Sequence, residues 1–134
     1  MSLPRLSLRL TALVFAAFGV ALLVRPSLLG GLGIELGSPT AVTEIRAFYG
    51  GLELGLALWF ALASTRDEWL RPALFAQAVA LGALMLARLL GMVVDGSAEP
   101  LMLLFAAIEA VGVVLAWAAL RTLRPVGIAA AQPG

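Results

Sequence analysis

The chain contains no cysteine, no histidine and no lysine. Without cysteine there is no disulfide, no iron–sulfur cluster and no thiol chemistry. Without histidine the usual haem and zinc ligands are missing, and so is the commonest general base. Charge is scarce as well: 13% of the 134 residues are charged, against about 25% in a soluble domain. A net charge of +1 offers no basic face to a nucleic acid. These absences remove most redox, metalloenzyme and nucleic-acid functions. No serine falls deep in a predicted helix to act as a nucleophile, so an enzyme is the least favoured class. No cofactor or metal is expected.

Apolar residues, by contrast, make up 62% of the chain and the mean hydropathy is +1.04. A soluble core of this size cannot hide so much apolar surface, so lipid is the expected solvent for much of it. A spanning helix needs about 20 mostly apolar residues. Four segments qualify: residues 6–24, 40–63, 72–94 and 100–120. The expected fold is all-α, a single four-helix transmembrane bundle.

The boundaries have their own chemistry. Pro39, Pro72 and Pro100 each suit a first helical turn, where a missing N–H costs nothing. Ser38 is placed to cap the second helix. Asp95-Gly96-Ser97 reads as a turn. Pro125 ends the last helix, and residues 125–134 read as a short disordered tail. The connection over residues 25–39 is glycine-rich, still apolar at Leu28, Leu29, Leu32, Ile34 and Leu36, and too short to span. It is expected to lie at the interface, packed on the bundle, with a short helix near residues 26–29. Arg5 and Arg9 before an apolar run resemble a signal peptide, but no small-x-small site follows Val24, which favours a retained anchor.

Arginine sets the expected orientation. Arg5, Arg9, Arg66, Arg71, Arg121 and Arg124 fall on one side of a four-span chain and only Arg25 on the other. Cytoplasmic loops carry the excess of positive charge. Both termini and the middle loop are therefore expected in the cytoplasm, with the chain in the inner (plasma) membrane. Trp59, Trp69 and Trp117 fall near the same inner boundary, as an aromatic belt would.

Glu44, Arg46, Glu53, Arg88 and Glu109 lie within the predicted spans. Each unpaired charge near the bilayer centre costs about 2.5–3.5 kcal/mol, so such residues should face inward and pair. By helix rise, Arg46 and Arg88 lie about 9 Å from the outer ends of their helices, Glu109 about 14 Å and Glu53 about 20 Å. Arg46, Tyr49, Gly50, Glu53 and Ala57 share one side of the second helix by 3–4 spacing. Arg88 and Glu109 are expected to form the closest pair. A looser pair, Arg46 with Glu53, would need Tyr49, water or a ligand between them, and Gln77 or Asp95 could join. Glu44 points away from Arg46, toward headgroups. The set reads in two ways, as ion pairs that fix helix register or as a polar pocket open to the outer face. Gly50, Gly51 and Gly55 suit close backbone approach, and the Gly51-x-x-x-Gly55 spacing points to packing within the bundle.

The run Glu44-Ile45-Arg46-Ala47-Phe48-Tyr49-Gly50-Gly51 resembles a family of small four-helix bacterial membrane proteins catalogued as a domain of unknown function, family 4345. That family looks like a branch of the wider DoxX-like group. Gly55, Arg88-Leu89-Leu90-Gly91, Asp95-Gly96 and Glu109 support the resemblance, which covers about residues 8–123. Some DoxX-like proteins are associated with quinone-linked sulfur oxidation and others with protein maturation or trafficking. Neither activity transfers to this chain residue by residue, and it lacks the cysteines that thiol handling would use.

The leading expectation is a non-enzymatic membrane protein whose polar pocket binds a small ligand, a lipid or a partner helix. The alternative is an accessory or structural subunit of a larger membrane complex. A small proton-coupled transporter ranks below both, because such carriers work as dimers around an essential unpaired acid and both deep acids here have arginines within reach. Membrane lipids, a membrane-protein partner or a second copy are the candidate partners.

Overall fold

A computed structural model describes residues 2–123. Arg124, Pro125 and the predicted tail lie outside the described residues. Four long helices make up the bundle: α1 Leu3–Val24, α2 Pro39–Ala63, α3 Asp67–Asp95 and α4 Pro100–Thr122. Among the described residues there is no strand. Each helix is long and apolar enough to cross a membrane, yet only 17–39% of its most apolar window is buried within the chain. The rest, including Leu13, Phe48, Leu86 and Val93, faces outward as lipid-facing side chains do.

Local chemistry explains most of the boundaries. Ser38 caps α2, its Oγ accepting from the Ala41 N–H at 3.2 Å, with Pro39 in the first turn. Gly96, at φ 65°, lets α3 end in a left-handed residue that a side chain would disfavour. The third helix departs from expectation. It starts at Asp67, not Pro72, and Pro72 sits inside it. Asp67 and Glu68 in the first turn favour the positive helix end, and this outweighs the one intrahelical bond, to the Glu68 carbonyl, that Pro72 cannot make. Between α1 and α2, Pro26–Leu32 forms a 3₁₀ turn ending at Gly33 in the left-handed region. Pro26 and Leu29 are buried, so this connection does pack on the bundle.

The closest pairings are α1 with α2 and α3 with α4, and α1 also touches α3 and α4. The tightest core lies toward the termini. There Ala63, Ala73, Ala116 and Ala119 are fully buried with Leu8 and Leu74, small side chains letting the backbones approach. At the end of the bundle that holds the termini, Arg5 bonds the Ser64 carbonyl at 3.2 Å and Asp67 at 2.9 Å. Arg71 reaches the Leu123 carbonyl at 3.1 Å. Trp59 stacks on Trp69 with centroids 5.5 Å apart, and Arg66 lies over the Trp69 ring. Gln77, fully buried, donates to Ser7 Oγ and to the Gly112 carbonyl, both at 3.0 Å.

Candidate functional site

The second helix is not uniform. It is α-helical over Pro39–Ile45 and Leu52–Ala63 and π-helical over Arg46–Gly51, where the Leu52 N–H reaches back to the Ala47 carbonyl. A π turn holds one residue more than an α turn and often marks a functional position. It rotates the turns before it by about one residue, roughly 100°, against the turns after it. The regular 3–4 stripe expected from the sequence therefore breaks in this turn. Tyr49 stays on the side of Glu53, and Arg46 does not.

Arg46 is exposed, and its Nε donates to the Leu23 carbonyl at 3.1 Å. There it ties the start of the π turn to the last turn of α1, whose carbonyls lack intrahelical donors. The expected pairing of Arg46 with Glu53 is thus corrected. Glu53 Oε2 is buried and has no hydrogen-bond partner among the described residues. Glu44 is exposed, and Asp95 is exposed at the end of α3. Gln77 belongs to the layer with Ser7, so neither Gln77 nor Asp95 joins the charges.

Arg88 and Glu109 do meet. Arg88 Nη2 donates to Glu109 Oε1 at 2.7 Å, and Arg88 Nε to Oε2 at 3.1 Å. This two-pronged geometry is the strong form of the arginine–carboxylate contact. Arg88 Nη1 points to Met102 Sδ at 3.4 Å, and the guanidinium carbon lies 5.2 Å from the centre of the Phe105 ring. Glu109 is buried.

Together these groups wall a cavity of about 400 Å³, in the half of the bundle remote from the termini. The size falls at the lower end of small-molecule sites. Its polar wall is Tyr49, Glu53, Arg88 and Glu109. Its apolar wall includes Phe15, Phe18 and Leu22 of α1, Leu29 and Leu32 of the connection, and Phe105 of α4. All four helices and the connection contribute to its wall, and α2 and α4, on opposite sides of the bundle, do not pack on each other to close it. The α1 side of this wall was not legible in the sequence. Phe15 and Phe18 have ordinary core spacing, and nothing in them signals a cavity.

The glycines divide unexpectedly. A Cβ on Gly50 would stand 3.0 Å from Leu23 Cα, and one on Gly19 would stand 3.0 Å from the Gly50 carbonyl. These two glycines bring α1 and α2 together. Gly51 would meet only the Arg46 carbonyl at 3.8 Å, and Gly55 has nothing within 4 Å. The expected packing role of Gly51 and Gly55 within the bundle is therefore corrected to Gly50 and Gly19.

No group of three or more metal-ligating side chains occurs among the described residues. No curated protein and no solved structure matches the chain. A family model described as Domain of unknown function (DUF4345) matches residues 3–120. The ion pair, the cavity and all of the helices except the last two residues of α4 fall within that stretch, and the chain belongs to this family.

Proposed function

We propose that this is a multi-pass protein of the inner (plasma) membrane, of the DoxX-like group, that binds a small ligand or a lipid in the cavity between its helices. One observation carries the reading: a cavity of about 400 Å³ with charged groups on its wall, inside a bundle whose other buried polar side chains, Ser7, Thr11, Ser64 and Gln77, carry no charge. Intramembrane ionisable residues are functional candidates by default, and sites of this kind combine an apolar lining with a few placed polar groups. The arginine distribution favours termini in the cytoplasm and the cavity in the outer half.

Native mass spectrometry of the protein taken from its own membrane tests the binding reading. A bound small molecule or lipid is expected, and Leu84→Trp, which fills the cavity from its wall, should remove it. Retention of the same adduct by Leu84→Trp would place the ligand elsewhere. A partner protein at fixed stoichiometry, with no adduct, would favour the accessory-subunit reading. The orientation has its own test. Reporter fusions after Arg66 should read cytoplasmic, and fusions near Ser97 external. A periplasmic reading at Arg66 would overturn the topology.

One observation favours a second reading, a small proton-coupled transporter. Arg46 is engaged elsewhere, and Glu53 Oε2 is buried without a partner among the described residues. The objection that both deep acids have arginines within reach no longer applies to Glu53. Transport by a purified homodimer that depends on pH would support this reading over static binding.

A further inference from the structure

We propose that the occupant of the cavity carries a primary ammonium group on an apolar chain, and that Glu53 is its counter-charge. The inference rests on the binding reading above and specifies the ligand's chemistry. Three charged side chains line the cavity: Glu53, Arg88 and Glu109. Arg88 and Glu109 neutralise each other through direct contacts at 2.7–3.3 Å. Of the three, Glu53 is left uncompensated, with Oε2 buried and unpartnered among the described residues. An ionised carboxylate only accepts hydrogen bonds, so the complement it lacks is a donor, and a cationic donor satisfies both its charge and its lone pairs.

The rest of the wall agrees. An anionic head would depend on Arg88, whose charge Glu109 already neutralises at 2.7 Å, and would stand beside the unpartnered Glu53 carboxylate. Phe15, Phe18 and Tyr49 supply aromatic rings around the same space, and aromatic rings attract ammonium groups electrostatically. The remaining lining is mostly aliphatic, which suits a hydrocarbon tail. A quaternary ammonium would meet the charge but give Glu53 no N–H, so a primary one fits better. Such a head could come from an aminophospholipid or from a free amphiphilic amine.

The test uses the full chain in phosphatidylcholine nanodiscs, with empty nanodiscs subtracted, titrated with dodecylammonium, dodecyltrimethylammonium and dodecanol. Dodecylammonium is expected to bind saturably and more tightly than the other two. Glu53→Gln should weaken it by about ten- to a hundred-fold, the usual worth of a charge-assisted hydrogen bond. Dodecanol binding as tightly as dodecylammonium overturns the inference, and so does a folded Glu53→Gln protein with unchanged affinity. If Glu53→Gln does not fold, the head-group comparison on the natural chain still decides. Equal binding of all three amphiphiles, abolished by Leu84→Trp, would sink the ammonium inference and leave the cavity reading standing. No saturable binding of any amphiphile would remove both. Adding phosphatidylethanolamine to the nanodiscs separates the sources. A weaker apparent affinity for dodecylammonium identifies the lipid head as the competitor, and an unchanged one points to a free amine; either result keeps the shared chemistry.

Discussion

Arg88→Met and Glu109→Met, each alone, are expected to destabilise the protein by about 3–5 kcal/mol, because removing one partner strands the other in a buried place. Glu109 has 10% of its side chain exposed and Arg88 24%, so the stranded glutamate should be the costlier of the two. The double change should recover much of the loss. Two methionines fill similar volume without charge, and replacing a whole buried pair by apolar side chains is often neutral. The loss on Arg88→Met has a second part: the guanidinium also rests against Phe105 and Met102. Thermal unfolding in detergent for the four proteins of the cycle measures the coupling. Additive losses would show that the 2.7 Å contact does not couple the residues. The same four proteins also separate structure from binding. A double mutant that is stable but has lost its ligand would show that the pair shapes the cavity as well as the helix register.

Gly50→Leu and Gly19→Leu should each lower stability by about 1–3 kcal/mol or more, the usual cost of overfilling a packed contact. At Gly50 the new side chain meets the Leu23 backbone, which cannot swing aside as a flexible side chain can. Separation of α1 from α2 would also pull the Leu23 carbonyl from Arg46, where the bond is 3.1 Å, and disturb the π turn that precedes Glu53. Gly55→Leu and Gly30→Leu face open space and should stay within about 0.5 kcal/mol of the natural chain. The comparison is a set of unfolding curves in one detergent. Gly55→Leu as damaging as Gly50→Leu would contradict this packing, and loss of an oligomer in that variant would place a second copy against Gly55.

The Arg88–Glu109 contact was legible in advance because similar depth, and the cost of leaving a charge unpaired in the membrane, were enough to predict it. The two residues sit on consecutive antiparallel helices joined by a short turn, so counting residues from that turn gives their relative height. The Arg46–Glu53 pair was not, although its residues are closer in sequence. That expectation assumed a regular helix, and the Gly50-Gly51 pair lies in a π turn instead. A helical wheel cannot register an extra residue in one turn. The glycine assignment failed for a related reason. The spacing of Gly51 and Gly55 identifies one side of a helix but does not say which neighbour, if any, that side meets.

The sequence by itself determined the apolar character of the helices, their number, their order and the height of each charge along them. Those properties depend on hydropathy and on a fixed rise per residue, both of which are local. Only the tertiary structure decided that Glu53 is left without a partner among the described residues. It also decided that α1 and the connection complete the wall of the cavity, and that this space stays open where α2 and α4 do not meet. These depend on helix rotation and on the distance between axes, and they are set by side chains from four helices at once. A change of one residue in one turn was enough to move Arg46 out of the site and to leave Glu53 facing the cavity without it.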